Sequence, residues 1–225
     1  RDYYASRGLG DVYKRQARKQ TGSFYTPREI VQYMVDESLV THLKRTVGNE
    51  LESEYRKLLD YADNEILLTE QQKLAIMQSL YNCKILDPAC GSGAFPVGVL
   101  QQMVHILKQI DPDNSRWKNM LLQFAIDETS EAYLNSTAEE RREAVADIER
   151  AFDENVNYPD YARKLHLIEN CIYGVDIQPI AIQISKLRFF ISLVIDQKRN
   201  NNPADNFGIR PLPNLEAKFV AANSP

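Results

Sequence analysis

The chain has 225 residues, 27 Lys and Arg against 31 Asp and Glu, a formal net charge of −4 and 44% hydrophobic residues. That length and apolar content suffice for one good-sized core and exclude disorder throughout. No apolar run approaches the roughly 18 residues of a membrane span and no signal-peptide pattern opens the chain, so the expectation is a cytoplasmic protein without a membrane partner. Cys83, Cys90 and Cys171 form no CxxC pair, and His42, His105 and His166 stand far apart. Neither a disulfide framework nor a metal site is therefore expected.

Residues 1–16 carry two glycines, three tyrosines and scattered charge without a sustained period, and read as an unassigned appendage. Residues 17–83 read as an N-terminal helical region. It opens on Gly22-Ser23-Phe24-Tyr25-Thr26-Pro27, where Thr26 suits an N-cap, Pro27 the first helical position and Glu29 the third residue of a capping box. Ile30, Val31, Met34, Val35, Leu39 and Leu43 then give the following helix an apolar face. Two further stripes, Leu51, Tyr55, Leu58 and Leu59, then Leu74, Ile76, Met77 and Leu80, predict helices on either side of Ala62-Asp63-Asn64, the second starting near Thr69.

From Lys84 the pattern changes. Lys84-Ile85-Leu86-Asp87 is a short apolar run ending in an acid, Pro88-Ala89-Cys90-Gly91-Ser92-Gly93 is a tight turn, and Ala94 to Ile110 repeats apolar residues at helical spacing. In a strand, glycine turn and helix of this kind, glycine takes positive φ and lets a ligand lie on the backbone, while the first helical N–H groups face the same point. Such a turn seats a nucleotide-type cofactor at the carboxyl end of a strand, and a bare Gly-x-Gly serves equally as a tight structural turn.

Residues 111–168 read as a mainly helical insertion, opened by Asp111-Pro112-Asp113-Asn114. Cys171-Ile172-Tyr173-Gly174-Val175-Asp176-Ile177-Gln178-Pro179 then predicts a buried strand ending at Asp176, with Ile180, Ile184, Leu187, Phe190, Ile191 and Val194 forming the helix behind it. An acid at the end of the second strand is where doubly wound folds hold two ribose hydroxyls, because one carboxylate accepts two O–H bonds. A capping or strand-end aspartate is the structural alternative. Asp176 lies 83 positions beyond Gly93, against about 20 in the simple dinucleotide fingerprint, and the helical insertion accounts for the excess. A polar loop with prolines, 200–213, precedes a third predicted strand near 218–222 that ends at Asn223.

Three of these stretches carry a resemblance. Asp-Pro-Ala-Cys-Gly-Ser-Gly-Ala-Phe, residues 87–95, resembles motif I of the S-adenosylmethionine-dependent DNA amino-methyltransferases, most closely their adenine-N6 members. Gly-Ser-Phe-Tyr-Thr-Pro, residues 22–27, resembles their motif X, and Tyr-Gly-Val-Asp-Ile, residues 173–177, resembles motif II of the type IIG restriction-modification and phage-defence methylases, which also carry helices between these motifs. The resemblance implies a Rossmann-like class I methyltransferase of α/β class, incomplete over 84–225, with motif X ahead of motif I. It implies S-adenosyl-L-methionine as cofactor. Phe24, Tyr25 and Thr26 would close over it, Asp87, Ala89, Gly91 and Gly93 would lie under its methionine part, Asp176 would take the ribose, Ile177 would press on the adenine and Asn223 would bond the adenine ring.

The family's catalytic motif, Asn or Asp followed by Pro-Pro and an aromatic, occurs nowhere in the 225 residues, so no catalytic residue is nominated. Double-stranded DNA is the implied partner, yet a net charge of −4 lacks the basic footprint such a partner demands. The expectation is therefore the cofactor-binding part of a site-specific DNA adenine-N6 methyltransferase, inactive alone, which meets DNA through regions outside this chain. A methyltransferase of RNA or protein, or a non-catalytic scaffold or recognition subunit keeping the cofactor fold, are the rival readings.

Overall fold

The computed structural model describes residues 26–62, 64–127, 136–211 and 213–223. Phe24 and Tyr25, like the expected appendage at 1–16, lie outside the described residues.

Among the described residues, three α-helices come first: α1 (Arg28–Thr46), α2 (Glu52–Leu59) and α3 (Glu70–Asn82). Thr69 starts α3 with a full capping box, its hydroxyl accepting the Gln72 N–H while the Gln72 side chain accepts the Thr69 N–H. The start of α1 differs from expectation. Pro27, not Thr26, occupies the N-cap position, and no side chain caps the helix. Pro27 sits at φ −55°, ψ 145°, extended rather than helical, and its carbonyl accepts the N–H groups of both Ile30 and Val31 at 3.1 Å. The predicted face of α1 is also rotated: Val31, Val35, Leu39, Val40 and Leu43 are buried, whereas Ile30 and Met34 are exposed.

Strand β1 (Ile85–Asp87) leads through the glycine turn into α4 (Ala94–Ile110). Helices α5 (Ser115–Ile126), α6 (Ala138–Ala151) and α7 (Asp160–Asn170) follow in the stretch expected to be a helical insertion. Asp111 starts α5, its carboxylate accepting the N–H groups of Arg116 at 3.3 Å and Trp117 at 2.9 Å. The fully buried Arg163 ties α7 to this corner by donating to the Asp111 carbonyl, while its other arm is held within α7 by Asp160 at 2.9 Å. A buried guanidinium is tolerated only where such acceptors meet it.

Strand β2 (Ile172–Asp176), α8 (Pro179–Val194) and β3 (Phe219–Ala221) follow. The three strands form a parallel sheet in the order β1-β2-β3, with Leu86 opposite Tyr173, Asp87 opposite Gly174, and Asp176 opposite Ala221. The molecule is thus mixed α/β, and the predicted strand positions at 84–88, 171–176 and 218–222 each contain a parallel strand.

Alternation along the strands sorts their side chains. Ile172, Gly174 and Phe219 face the helices: Phe189 of α8 packs its ring on Phe219 with centroids 4.8 Å apart, and α4 and α7 lie beside α8. Leu86, Tyr173, Val175 and Val220 face the other way, where Leu86 is 60% and Val220 41% exposed. Helix α8 inverts the sequence expectation. It buries Ile182, Ser185, Lys186, Phe189 and Leu193, and leaves Ile180, Ile184, Leu187 and Ile191 exposed. The helix is apolar nearly all round, so hydrophobic spacing could not choose between its faces, and the contacts with β2 and β3 decide.

Candidate functional site

The site lies at the carboxyl ends of the three strands. After β1 the backbone reverses through a set of hydrogen bonds that the sequence supplies locally. The Asp87 carboxylate accepts the Ala89 N–H at 3.0 Å, the Cys90 N–H reaches the Val175 carbonyl at 2.9 Å, and the Gly93 N–H returns to the Cys90 carbonyl at 2.8 Å. Gly91 and Gly93 take φ of +54° and +82°, the left-handed region in which any Cβ is strained. Gly93 is also hemmed in, because a Cβ there would stand 2.8 Å from Ser185 Oγ. At Gly91 the direction a Cβ would take is open, with nothing within 4 Å.

Asp176 joins the strand ends. One carboxylate oxygen accepts the Gly91 N–H at 2.9 Å across 85 residues of sequence, the other accepts the Gln178 N–H at 2.8 Å at the start of α8, and its carbonyl accepts the Ala222 N–H at 3.0 Å just past β3. Each carboxylate oxygen keeps a second lone pair for an incoming hydroxyl. The turn also offers donors: among the described residues no acceptor takes the N–H groups of Ser92, Ala94 or Phe95 at the mouth of α4.

Burial and the neighbouring Asp176 charge raise the pKa of Asp87, against the stabilising Ala89 N–H. The Cys90 thiol, buried against the same two carboxylates, is pushed up to about 11 and stays protonated. It is a packing group rather than a nucleophile: a Cβ on Gly174 would meet Cys90 Sγ at 2.9 Å and the Phe219 ring at 2.7 Å, so Gly174 lets the turn settle onto the sheet.

Of the residues nominated from sequence, Asp87, Ala89, Gly91, Gly93 and Asp176 belong to this one network. Ile177 follows directly on β2 and Asn223 lies two residues past β3, and both are exposed. Thr26 is exposed ahead of α1, and among the described residues no hydrogen bond joins it to the turn. Its helix does approach α4, since Val31 and Val35 stand 3.7 and 3.2 Å from where a Cβ on Gly98 would be. The strand ends form an open ledge. Two well-formed hollows among the described residues lie elsewhere, one of about 650 Å³ among α5, α6 and α7, another of about 780 Å³ against α1 and α2.

Sequence reading missed Ser185, Cys90 and Gly174. Ser185 is fully buried and its Oγ donates to the Gly91 carbonyl at 3.0 Å. The available signal was a lone serine on the Ile182, Phe189 and Leu193 stripe of an apolar helix.

No protein-family model matches the chain, and no solved structure matches it. Over 233 aligned positions, covering 98% of the chain, it is 25% identical to the protein of Methanocaldococcus jannaschii named "Putative type II restriction enzyme and methyltransferase RM.MjaORFECS2P". The chain spans 16% of that protein's length. The strand-end network described above thus lies within a stretch distantly related to a protein named for restriction and methyl transfer.

Proposed function

We propose that this chain is the S-adenosylmethionine-binding part of a site-specific DNA adenine-N6 methyltransferase of a restriction-modification or phage-defence system, built on a Rossmann-like class I fold. The observation that carries the reading is the bond between the Gly91 N–H and the Asp176 carboxylate, which puts the glycine turn and the strand-end acid on one ledge. The motif resemblances and the relative's name support the same reading.

The residues suit the ligand. The open space over Gly91 admits a ligand against the backbone, Asp176 retains lone pairs for two ribose hydroxyls, and Ile177 offers an exposed apolar face beside them. Ala89, Gly93, Asn223 and the Phe24-Tyr25-Thr26 segment complete the proposed contacts. The bound cofactor supplies a methyl group on a sulfonium centre, activated for direct displacement. This chain's share is to hold and orient that group, while acceptors and an aromatic face for the target amine come from outside it. The charge of −4 fits a piece that leaves the contact with double-stranded DNA to other regions.

Titration calorimetry with S-adenosylmethionine tests the reading. The wild-type protein binds; Asp176→Ala, which loses both the ribose acceptor and the Gly91 bond, binds more weakly by about 1.5–3 kcal/mol. Asp176→Asn keeps one acceptor oxygen for Gly91 and loses the charge, and falls between them. Equal affinity of wild type and Asp176→Ala overturns the assignment of Asp176, and no binding by wild type overturns the cofactor reading. Labelled methyl transfer followed by nucleoside analysis of the DNA decides the base: the full-length protein yields N6-methyladenine, and this chain alone yields none.

A further inference from the structure

We infer that Ser185 is a positioning residue for the cofactor turn, holding the Gly91 peptide so that the Ser92 N–H is presented to the ligand; this rests on the reading of the ledge as a cofactor site. Ser185 is fully buried on the inner face of α8, between Ile182 and Phe189, where a hydroxyl without a partner is costly. Its Oγ donates to the Gly91 carbonyl at 3.0 Å, while the Gly91 N–H donates to Asp176 at 2.9 Å. One residue in the left-handed region is therefore held on both sides, by a carboxylate from the end of β2 and a hydroxyl from α8.

The planar trans peptide converts this into a direction. The N–H of Ser92 belongs to the same peptide unit as the Gly91 carbonyl and points opposite to it. Tying that carbonyl inward to α8 turns the Ser92 N–H away from the core, and no acceptor among the described residues takes it there. Ser185 also sets the shape of the turn on its far side, since its Oγ and Cβ stand 2.8 and 3.1 Å from where a Cβ on Gly93 would be. Without the hydroxyl, the Gly91 carbonyl is left with the long Cys90 S–H contact at 3.8 Å, and the Gly91–Ser92 peptide rotates more readily, because glycine accepts both signs of φ. A donor fixed in advance binds more tightly than one that must be ordered on binding.

The test compares wild type, Ser185→Ala, Ser185→Cys and Leu187→Ala in the full-length protein, the last as a control on the exposed face of the same helix. Ser185→Ala keeps the Cβ that packs on Gly93 and removes only the donor. S-adenosylmethionine affinity by titration calorimetry falls about tenfold in Ser185→Ala, less in Ser185→Cys, which retains a weak S–H donor, and not at all in Leu187→Ala, with melting temperatures close to wild type. Hydrogen exchange without ligand supplies the second readout: the Gly91 amide exchanges at least tenfold faster in Ser185→Ala than in wild type. Wild-type affinity in Ser185→Ala, or unchanged Gly91 exchange, overturns the inference. Failure of wild type itself to bind overturns the cofactor reading instead. Should Ser185→Ala not fold, Ser185→Cys carries both readouts.

Discussion

The two faces of the sheet are made of similar residue types and meet different fates. On one, Ile172 and Phe219 are sealed under α8 and Gly174 admits the Phe219 ring and the Cys90 thiol at distances no side chain would tolerate. On the other, Leu86 and Val220 stand open to solvent, and Tyr173 is half-buried beside Lys218, whose ammonium lies 4.2 Å from its ring centroid and donates to its hydroxyl at 2.9 Å. Parallel strands are ordinarily covered on both faces, which is why their sequences read as unbroken apolar runs. Apolar composition in β1 and β2 therefore announced a parallel sheet without announcing which side would be covered.

Substitutions on the two faces test that contrast. Phe219→Ala removes a buried ring and its tilted contact with Phe189, and is expected to cost about 3–5 kcal/mol, read from the urea midpoint at unchanged m-value. Gly174→Ala forces a Cβ against the Phe219 ring and costs about 1–3 kcal/mol, with the loss reduced in the double variant with Phe219→Leu. Behind the covered face, His166 of α7 is stacked on Tyr81 with centroids 4.6 Å apart, and burial together with the Lys84 charge lowers its pKa to about 3 from 6.5. Such a histidine binds its proton more readily unfolded than folded, so stability is complete above about pH 6.5 and falls with pH from there toward 3. His166→Phe keeps the stack and flattens that limb of the stability–pH curve. On the open face, Leu86→Lys and Val220→Thr change stability by less than about 0.5 kcal/mol. A loss above about 1 kcal/mol at either position would show that face to be buried in solution and would end the contrast.

Asp87 adds a smaller pH effect of opposite sign. Its pKa is raised by burial and by Asp176, so its ionisation opposes folding, and the penalty appears as pH rises through the folded value. Asp87→Asn, which keeps the acceptor for the Ala89 N–H, is expected to be no less stable than wild type at pH 7, with the difference shrinking as pH falls toward 4.

What could be read from the sequence follows from how local each cause is. The turn after β1 was legible because two glycines, an Asp-Pro and the helix behind them carry their own instructions, and the Thr69 capping box was legible for the same reason. Asp176 was legible from its place at a strand end. The faces of α1 and α8 were not: both helices carry apolar residues on more than one side, and only packing on α4 and on the sheet decided for Val40 over Met34 and for Ile182 over Ile184. Thr26 had the composition of a cap, and the extended backbone of Pro27 moved the helix start past it. Ser185 was invisible because its partner, Gly91, lies 94 residues away.

That separation has a kinetic consequence. The glycine turn gets its final shape from Asp176 and Ser185, 85 and 94 residues downstream, so the chain must close very long loops before the ledge exists. During synthesis the turn emerges well before either of its partners, and until β2 and α8 arrive, Gly91 has its left-handed conformation available but nothing to hold it there. The strand-end network is thus a late product of folding, and a truncation before Ser185 would abolish it while leaving Gly91 and Gly93 in place.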